Sequence, residues 1–302
     1  MNSVRDILGI NNIHDRHIMG KDITFVVMDT GIYEHPDFNG RIIKFVDFIK
    51  GKRRPYDDNG HGTHVAGILA GNGRMSHGQY RGMCPESKLI VLKVLDEKGK
   101  GKEENVIRAC NWIVDNRIDY NINIVNISFG TLCKEEKCLE TKMIKAVEKM
   151  WDNGLIIVAA AGNMGPEDET ITSPGISKKI ITVGAMDDKR TIELDGKIVK
   201  DYSGRGNSRE KQMKPDLIAP GTRVISCAVH SKKNKGFYRM KSGTSMAVPV
   251  VCGTIGLFME QNKDISNNEI KKLLKISCSD RGMPMNRQGA GLINPEKFLK
   301  MR

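Results

Sequence analysis

The chain reads as an α/β protein: a mostly parallel central sheet with helices on both faces, and a small β-hairpin region in the C-terminal half. Three observations carry this. Short β-branched runs alternate with helical patterns up to Met186. Those runs are near-continuously apolar, as in strands buried on both faces of a parallel sheet. After Met186 the pattern changes to short alternating runs around turn residues.

The elements follow in order. "ITFVVM", Ile23 to Met28, is expected as a strand ending at Asp29. "HGTHVAGILAG" is a helix entered at a Gly-rich turn, and "KLIVLKVL" is a strand. "KEENVIRACNWIVDNR" is an amphipathic helix with Val106, Ile107, Cys110, Ile113 and Val114 on one face. "NINIVNIS" is a strand, and "LETKMIKAVEKMWDNG" is a helix closed by Gly154. "LIIVAAAG" and "KIITVGAM" are further strands. In "TIELDGKIVKDYSG", Asp195-Gly196 stands between alternating runs, a hairpin signal. "GTRVISCAVHSKKNKGFYRMKSG" reads as another β-pair around a basic loop. Two helices close the chain, Ser245 to Gln261 and Asn267 to Ser277. Residues 1–22 form a lead-in segment. No linker, repeat or boundary divides the remainder, so 1–302 is expected to be a single domain.

Composition narrows the function classes. Hydrophobic residues at 39% and charged residues at 28% describe a globular chain, not a disordered one. The net charge of +12 suggests acidic partners, yet the basic runs "KGKRR" and "SKKNK" lack interleaved aromatics. They are read as solvated loops, and no nucleic-acid partner is expected. No basic stretch leads into an apolar run at the N-terminus, and Val248 to Met259 is too short and interrupted to span a bilayer. No membrane partner is expected, and a soluble, cytoplasmic protein is, with non-standard export left open. The seven cysteines show no metal-ligand spacing. Cys110, Cys227 and Cys252 are expected in the core. Cys133 and Cys138 flank "KEEK" and could pair under oxidation, but free thiols, as in a reducing compartment, are the expectation.

In an open parallel sheet, reactive side chains gather at the carboxyl ends of strands. Asp29 follows the first strand in "VVMDTGI", His61 opens the helix of "NGHGTHVAG", and Ser245 opens that of "SGTSMAVP". Each has an ordinary structural use: a turn former, a surface histidine, a helix cap. Together, each beside glycines that let a backbone approach closely, they suggest a base, its orienting acid and a nucleophile.

These segments resemble the Asp, His and Ser boxes of the subtilisin-like serine peptidases, the subtilases. The boxes are "DTGI" (Asp29 to Ile32), "HGTHVAG" (His61 to Gly67) and "GTSMAVP" (Gly243 to Pro249), in that family's order. The resemblance runs from about Ile23 to Pro295 and looks closest to compact bacterial members, the intracellular branch included. It implies the subtilisin-like three-layer fold and a serine endopeptidase working through an acyl-enzyme intermediate. Ser245 would be the nucleophile, His61 the base and Asp29 its orienting partner, with His64 structural. Asn163, in "AAAGNMG", would donate its amide to the oxyanion, beside the N–H of Ser245.

The resemblance also places substrate. "KGKG", with Gly99, Lys100 and Gly101, resembles the edge segment that pairs with an extended polypeptide. "SFG", with Ser128, Phe129 and Gly130, resembles the facing segment. Lys98, Lys100 and Lys102 on one side, and Asp57 and Asp58 before the His box, are expected to charge the groove on both sides. The small wall from Ser128 to Gly130 and Ala160 to Gly162 is expected to admit a sizeable apolar or aromatic P1 side chain.

Two alternatives belong to other classes. One is a catalytically silent subtilase fold acting as a binding or regulatory module. The other is a metal hydrolase using His61 and His64, which lacks the HExxH spacing and its glutamate. A serine triad needs no cofactor, and none is expected. Many secreted relatives hold calcium between an Asp after the first box, here Asp37, and a loop after the His box. That loop, "GNGRMSHGQYRG", carries Arg74, His77 and Arg81 and no Asp or Glu, so calcium is not expected. Too few residues precede the first strand to form the family's inhibitory pro-domain, so the expectation is that it was removed from this chain or that the enzyme folds without one.

Overall fold

A computed structural model describes residues 1–132, 138–186, 192–194, 197–206, 214–230 and 235–301. In chain order the elements are α1 (Asn2–Leu8), α2 (Ile10–Asp15), β1 (Thr24–Asp29), β2 (Ile42–Asp47), α3 (His61–Ala70), β3 (Lys88–Lys93) and α4 (Glu103–Asn116). Next come β4 (Ile122–Ile127), α5 (Lys142–Asp152), β5 (Ile156–Ala160), β6 (Ile181–Ala185), β7 (Ile192–Leu194), β8 (Lys197–Val199) and β9 (Leu217–Ala219). The chain ends with β10 (Val224–Cys227), β11 (Tyr238–Lys241), α6 (Thr244–Gln261), α7 (Asn267–Ser277), α8 (Met285–Gln288) and α9 (Pro295–Leu299).

Seven strands form one sheet in the order β2-β3-β1-β4-β5-β6-β9, every pair parallel. Every residue of β1, β5 and β6 is buried, which requires cover on both faces. Helix α6 lies on β4, β5, β6 and β9 and against α3, while α5 lies on β5 and against α4. The expected α/β architecture is thus present, with small antiparallel pairs β7–β8 and β10–β11 beside the main sheet.

This topology locates the site. From β1 the chain builds outward through β3 and β2 on one side, and through β4, β5, β6 and β9 on the other. The crevice at the carboxyl ends of β1, β3 and β4 is therefore the switch point where such sheets bind ligands. Asp29 ends β1, Leu95 follows β3, Ser128 follows β4 and Asn163 follows β5.

Several expectations change. The lead-in is folded: α1 and α2 bury Val4, Leu8, Ile10 and Ile13, and Met1 before them is buried as well. Strands β2 and β9 and the short helices α8 and α9 add to the predicted elements. Strand β2 escaped the pattern because it is an edge strand, half-exposed and without clean alternation. Ile107 is only half-buried, whereas Ala109 joins Val106, Cys110, Ile113 and Val114 in the core. The Asp195-Gly196 turn and Ser231 to Asn234 of the basic loop lie outside the described residues. Cys138 is disulfide-bonded, not a free thiol as expected. Cys133 lies outside the described residues, and the five cysteines described as free are all buried. No helix among the described residues is long and apolar enough to cross a membrane.

Candidate active site

The carboxyl end of β1 and the start of α3 are held together by a set of short hydrogen bonds. Asp29 is fully buried, and its carboxylate accepts from Nδ1 of His61 at 2.8 and 3.0 Å. The N–H of Thr30 also donates to Asp29, at 2.7 Å. Asp57 receives five hydrogen bonds: from the Thr30 hydroxyl, the N–H groups of Asn59, Gly60 and Thr63, and the Thr63 hydroxyl. The first turn of α3 is completed by Asn59 Oδ1 on the N–H of His61 and the Thr30 hydroxyl on that of Gly62. A helix start that would otherwise leave these donors unpaired is thereby satisfied. Gly62 lets the pieces meet, since a β-carbon there would lie 2.2 Å from the Gly31 carbonyl oxygen and 3.1 Å from Asp29 Cβ.

Asp57 was expected to line the groove, and the structure gives it this internal role instead. Asp58 is likewise committed, pairing with Lys93 at 2.7 Å and with Lys50 at 3.5 Å. Lys93, fully buried at the end of β3, also donates to the Thr30 carbonyl. His64 is turned away from His61. Its Nε2 donates to the carbonyls of Val224 and Arg239, at 3.1 and 3.0 Å, and among the described residues His61 and His64 belong to no cluster of three metal-ligating side chains, which leaves the metal-hydrolase alternative without a site.

Ser245 occupies the first turn of α6, a helix whose residues from Met246 to Met259 are all buried. Its hydroxyl donates to the Ser128 carbonyl at 2.7 Å, and the Ser128 hydroxyl donates to the Ser245 carbonyl at 3.0 Å. Asn163 is oriented by Thr244, whose N–H and hydroxyl both donate to Asn163 Oδ1, at 2.9 and 3.0 Å. The amide Nδ2 is the end left for the pocket. Gly243 before the helix has φ 141°, a conformation open to glycine, and a β-carbon there would press on Asn163 Nδ2 at 3.2 Å.

His61, Ser245 and Asn163 line one cleft of about 510 Å³, with Thr30, Asn59, Leu95, Lys98, Ser128 and Phe129. Its charged lining is Lys98, Lys241 and Glu193. An adjoining cleft of about 730 Å³ runs between Leu95, Gly99, Lys100 and Gly101 on one side and Phe129 to Leu132 on the other. The six residues expected to face substrate therefore do flank these clefts. Lys100 differs in one respect. Its N–H and carbonyl are both closed into a turn with Asp96, so it offers no main-chain group for pairing. Sequence reasoning also missed Thr172. A β-carbon at Gly130 would lie 2.3 Å from its hydroxyl, and one at Gly162 would lie 2.5 Å from its methyl. Thr172 therefore fills the space between the two wall segments, and its buried hydroxyl has no partner. Missing side chains at both glycines were the available signal.

Calcium does not fit its expected place. Three carbonyls of the loop after α3, those of Gly78, Gln79 and Arg81, each accept from the Arg5 guanidinium at 3.1 Å. The Asp37 carboxylate accepts from the Met75 N–H and the Tyr238 hydroxyl. A guanidinium carried by α1 thus occupies the loop carbonyls, and cations oppose a second cation beside it. Arg5→Ala should lower stability by about 2 kcal/mol, read as a lower Tm. Added Ca²⁺ should leave the wild-type Tm unchanged, before and after EDTA treatment. A Tm lowered by EDTA and restored by Ca²⁺ would contradict this assignment.

His64 gives a pH test. Burial, aided by the charge of Lys241, pushes its pKa down to about 3, below the unfolded value of about 6.5. The unfolded chain binds the extra proton first, so stability should fall as pH drops from about 6.5 towards 3. Denaturant titrations at stepped pH should show this acid-side loss, and His64→Asn should flatten it. An equal slope in the variant would show that other groups cause it.

Comparison with known proteins places this geometry. Residues 20–291 match the model of the subtilase family. The serine protease AprX of Bacillus subtilis is 41% identical over 296 residues, covering 93% of this chain and 67% of AprX. The major intracellular serine protease of the same organism is 33% identical over 256 residues, covering 82% of this chain and 71% of that protein. A solved structure described as a psychrophilic protease superposes with a TM-score of 0.77 at 28% identity, covering 91% of this chain and 92% of the other. The fold, the order of the three boxes and these similarities agree: the chain belongs to the subtilase family of serine proteases.

Proposed function

We propose that the chain is an endopeptidase that cleaves extended polypeptides through an acyl-enzyme intermediate, with Ser245 as nucleophile, His61 as base and Asp29 as its orienting acid. The observation that carries this reading is the buried Asp29 carboxylate on His61 Nδ1, in one cleft with a serine at the start of α6. With the Nδ1 proton held by Asp29, Nε2 is left as the acceptor. Rotation of the Ser245 side chain away from the Ser128 carbonyl delivers the hydroxyl to Nε2. As Oγ attacks the scissile carbonyl carbon, His61 takes the hydroxyl proton and then gives it to the leaving amine. Water, deprotonated by the same histidine, then attacks the acyl carbonyl, and the proton passes to Ser245 Oγ as the C–Oγ bond breaks and the acid leaves. Asn163 Nδ2 and the N–H of Ser245 would stabilise the oxyanion, a role favoured by the first turn of a helix.

Substrate would lie between Gly99 and Gly101 on one side and Phe129 and Gly130 on the other, adding a strand. The Lys100 turn limits pairing on the first side to its neighbours. Thr172 changes the expected P1 preference. With its side chain between Gly130 and Gly162, a small P1 residue fits better than a large aromatic one.

Ser245→Ala should lower kcat by roughly 10⁶-fold, the scale set by subtilisin, with folding intact. Asn163→Ala should cost roughly 10²–10³-fold, again the subtilisin scale. A serine-directed fluorophosphonate should label the wild type and not Ser245→Ala. A wild type that neither labels nor cleaves peptides would favour the silent-fold alternative. Peptidase activity kept by purified Ser245→Ala would refute the nucleophile.

Thr172→Gly should raise kcat/KM for peptides with P1 Phe relative to P1 Ala, by about tenfold or more, since each buried methylene in such a pocket discriminates at that level. An unchanged Phe/Ala ratio would place the P1 pocket elsewhere.

A further inference from the structure

Behind the helix that carries His61, three unlike side chains meet in the core. His35 and Asp37 follow β1, and Cys227 ends β10. All three are buried, and their donor atoms lie within 4.8 Å of one another. His35 Nδ1 is 3.6 Å from Asp37 Oδ1, and Cys227 Sγ is 3.5 Å from Asp37 Oδ2. Two ligands on a tetrahedral zinc, with bonds of roughly 2.0–2.3 Å, stand about 3.3–3.7 Å apart. We propose that His35, Asp37 and Cys227 form a binding site for a thiophilic divalent cation of the zinc class, a structural site separate from the catalytic cleft.

Charge is the first argument. The Asp37 carboxylate is fully buried, and its hydrogen-bond donors are neutral: the Met75 N–H, the Tyr238 hydroxyl and the Cys227 thiol. Arg41 donates to the main-chain carbonyl of Asp37 and not to the carboxylate. A buried anion without a paired cation is costly, and a bound divalent ion offsets that cost. Orientation is the second. His35 Nε2 donates to the Phe237 carbonyl at 2.9 Å, which fixes the tautomer and leaves the Nδ1 lone pair facing the cluster. A histidine whose far N–H is held by a carbonyl is the usual arrangement of a metal-ligating imidazole. The lone pair now accepts from the Asp37 N–H at 3.1 Å, a contact the ion would replace. Tyr238, on the second carboxylate oxygen, steadies Asp37 in the same way.

The donor set argues for the class of ion. One imidazole nitrogen, one sulfur and one carboxylate oxygen suit zinc and its analogues, whereas calcium and magnesium require all-oxygen shells. Binding converts the thiol to a thiolate and releases one proton to solvent. The fourth tetrahedral position is left for water. The ion would join β10 to the segment after β1. It would also press on α3, because Cys227 packs where β-carbons at Gly67 and Gly71 would fall, at 2.7 and 3.4 Å.

The test is titration of the chain, kept under inert gas with no reductant so that the Cys138 disulfide stays intact, with Cd²⁺ and Zn²⁺. One Cd²⁺ per chain should produce the ultraviolet charge-transfer band of a cadmium thiolate, and Zn²⁺ should displace it and raise Tm. Cys227→Ser should abolish the band, and His35→Gln should weaken binding by more than about tenfold. Circular dichroism and fluorophosphonate labelling would check that both variants are folded. The wild-type titration decides alone if a variant fails to fold. No saturable band in the wild type, or a band unchanged in folded Cys227→Ser, would overturn the proposal.

Discussion

Five hydrogen bonds converge on the carboxylate of Asp57, and the candidate site depends on them. They tie the residue after Asp29 to the residues on either side of His61. A strand end and a helix start, separated by over thirty residues, are thereby set at the 2.8 Å spacing of the Asp29–His61 bond. Neither element fixes this alone. A strand leaves its last side chain free to choose a rotamer, and a helix start frays unless its N–H groups are paired. Thr30 is the link, since its hydroxyl donates to Asp57 and accepts from Gly62. Its carbonyl receives Lys93, which carries the constraint to β3 and to Asp58.

The other half of the site is arranged by burial. Helix α6 is apolar around its full circumference because it lies on four strands and on α3. Such a helix cannot shift along its axis without disturbing close packing on every side. Its first turn is thus held by the whole core, and Thr244 and Ser245 inherit that rigidity. Thr244 transfers it to Asn163 through two bonds to one amide oxygen, and the Ser128–Ser245 pair transfers it to the end of β4. Preorganised donors of this kind do most when they need not move during a reaction.

The legible part of the sequence was the part written locally. Asp29, His61, Ser245 and Asn163 stand in short segments with glycines, and strands such as β1 and β5 are unbroken apolar runs. What escaped depends on partners far along the chain. Asp57 looks like a surface acid in "DDNGHG" until Thr30 folds against it. Lys93 in "KLIVLKVL" is a lysine inside a buried strand, a signal that could have announced an internal ion pair. Helices α1 and α2 are too short for a period to register, and their burial comes from the body of the protein. Thr172 is one of several threonines in the chain, and only the two glycines it touches give it meaning. The Cys138 disulfide went the other way because spacing alone does not decide the state of a thiol.

The contrast between Arg5 and Asp37 shows how one region divides its electrostatics. The loop carbonyls and the Asp37 carboxylate are served by separate partners. The carbonyls receive a guanidinium, which is covalently part of α1 and cannot dissociate. Holding the loop then depends on docking α1, whose Val4 and Leu8 are buried beside Arg5. The cost of ordering the loop is thereby covered by apolar burial in another element, independent of any ion concentration. The carboxylate accepts from the Met75 N–H of the same loop and otherwise sits among a thiol, a phenol and an imidazole. Softer donors of this kind are of no use to calcium. A cationic side chain thus holds the loop carbonyls without drawing on Asp37.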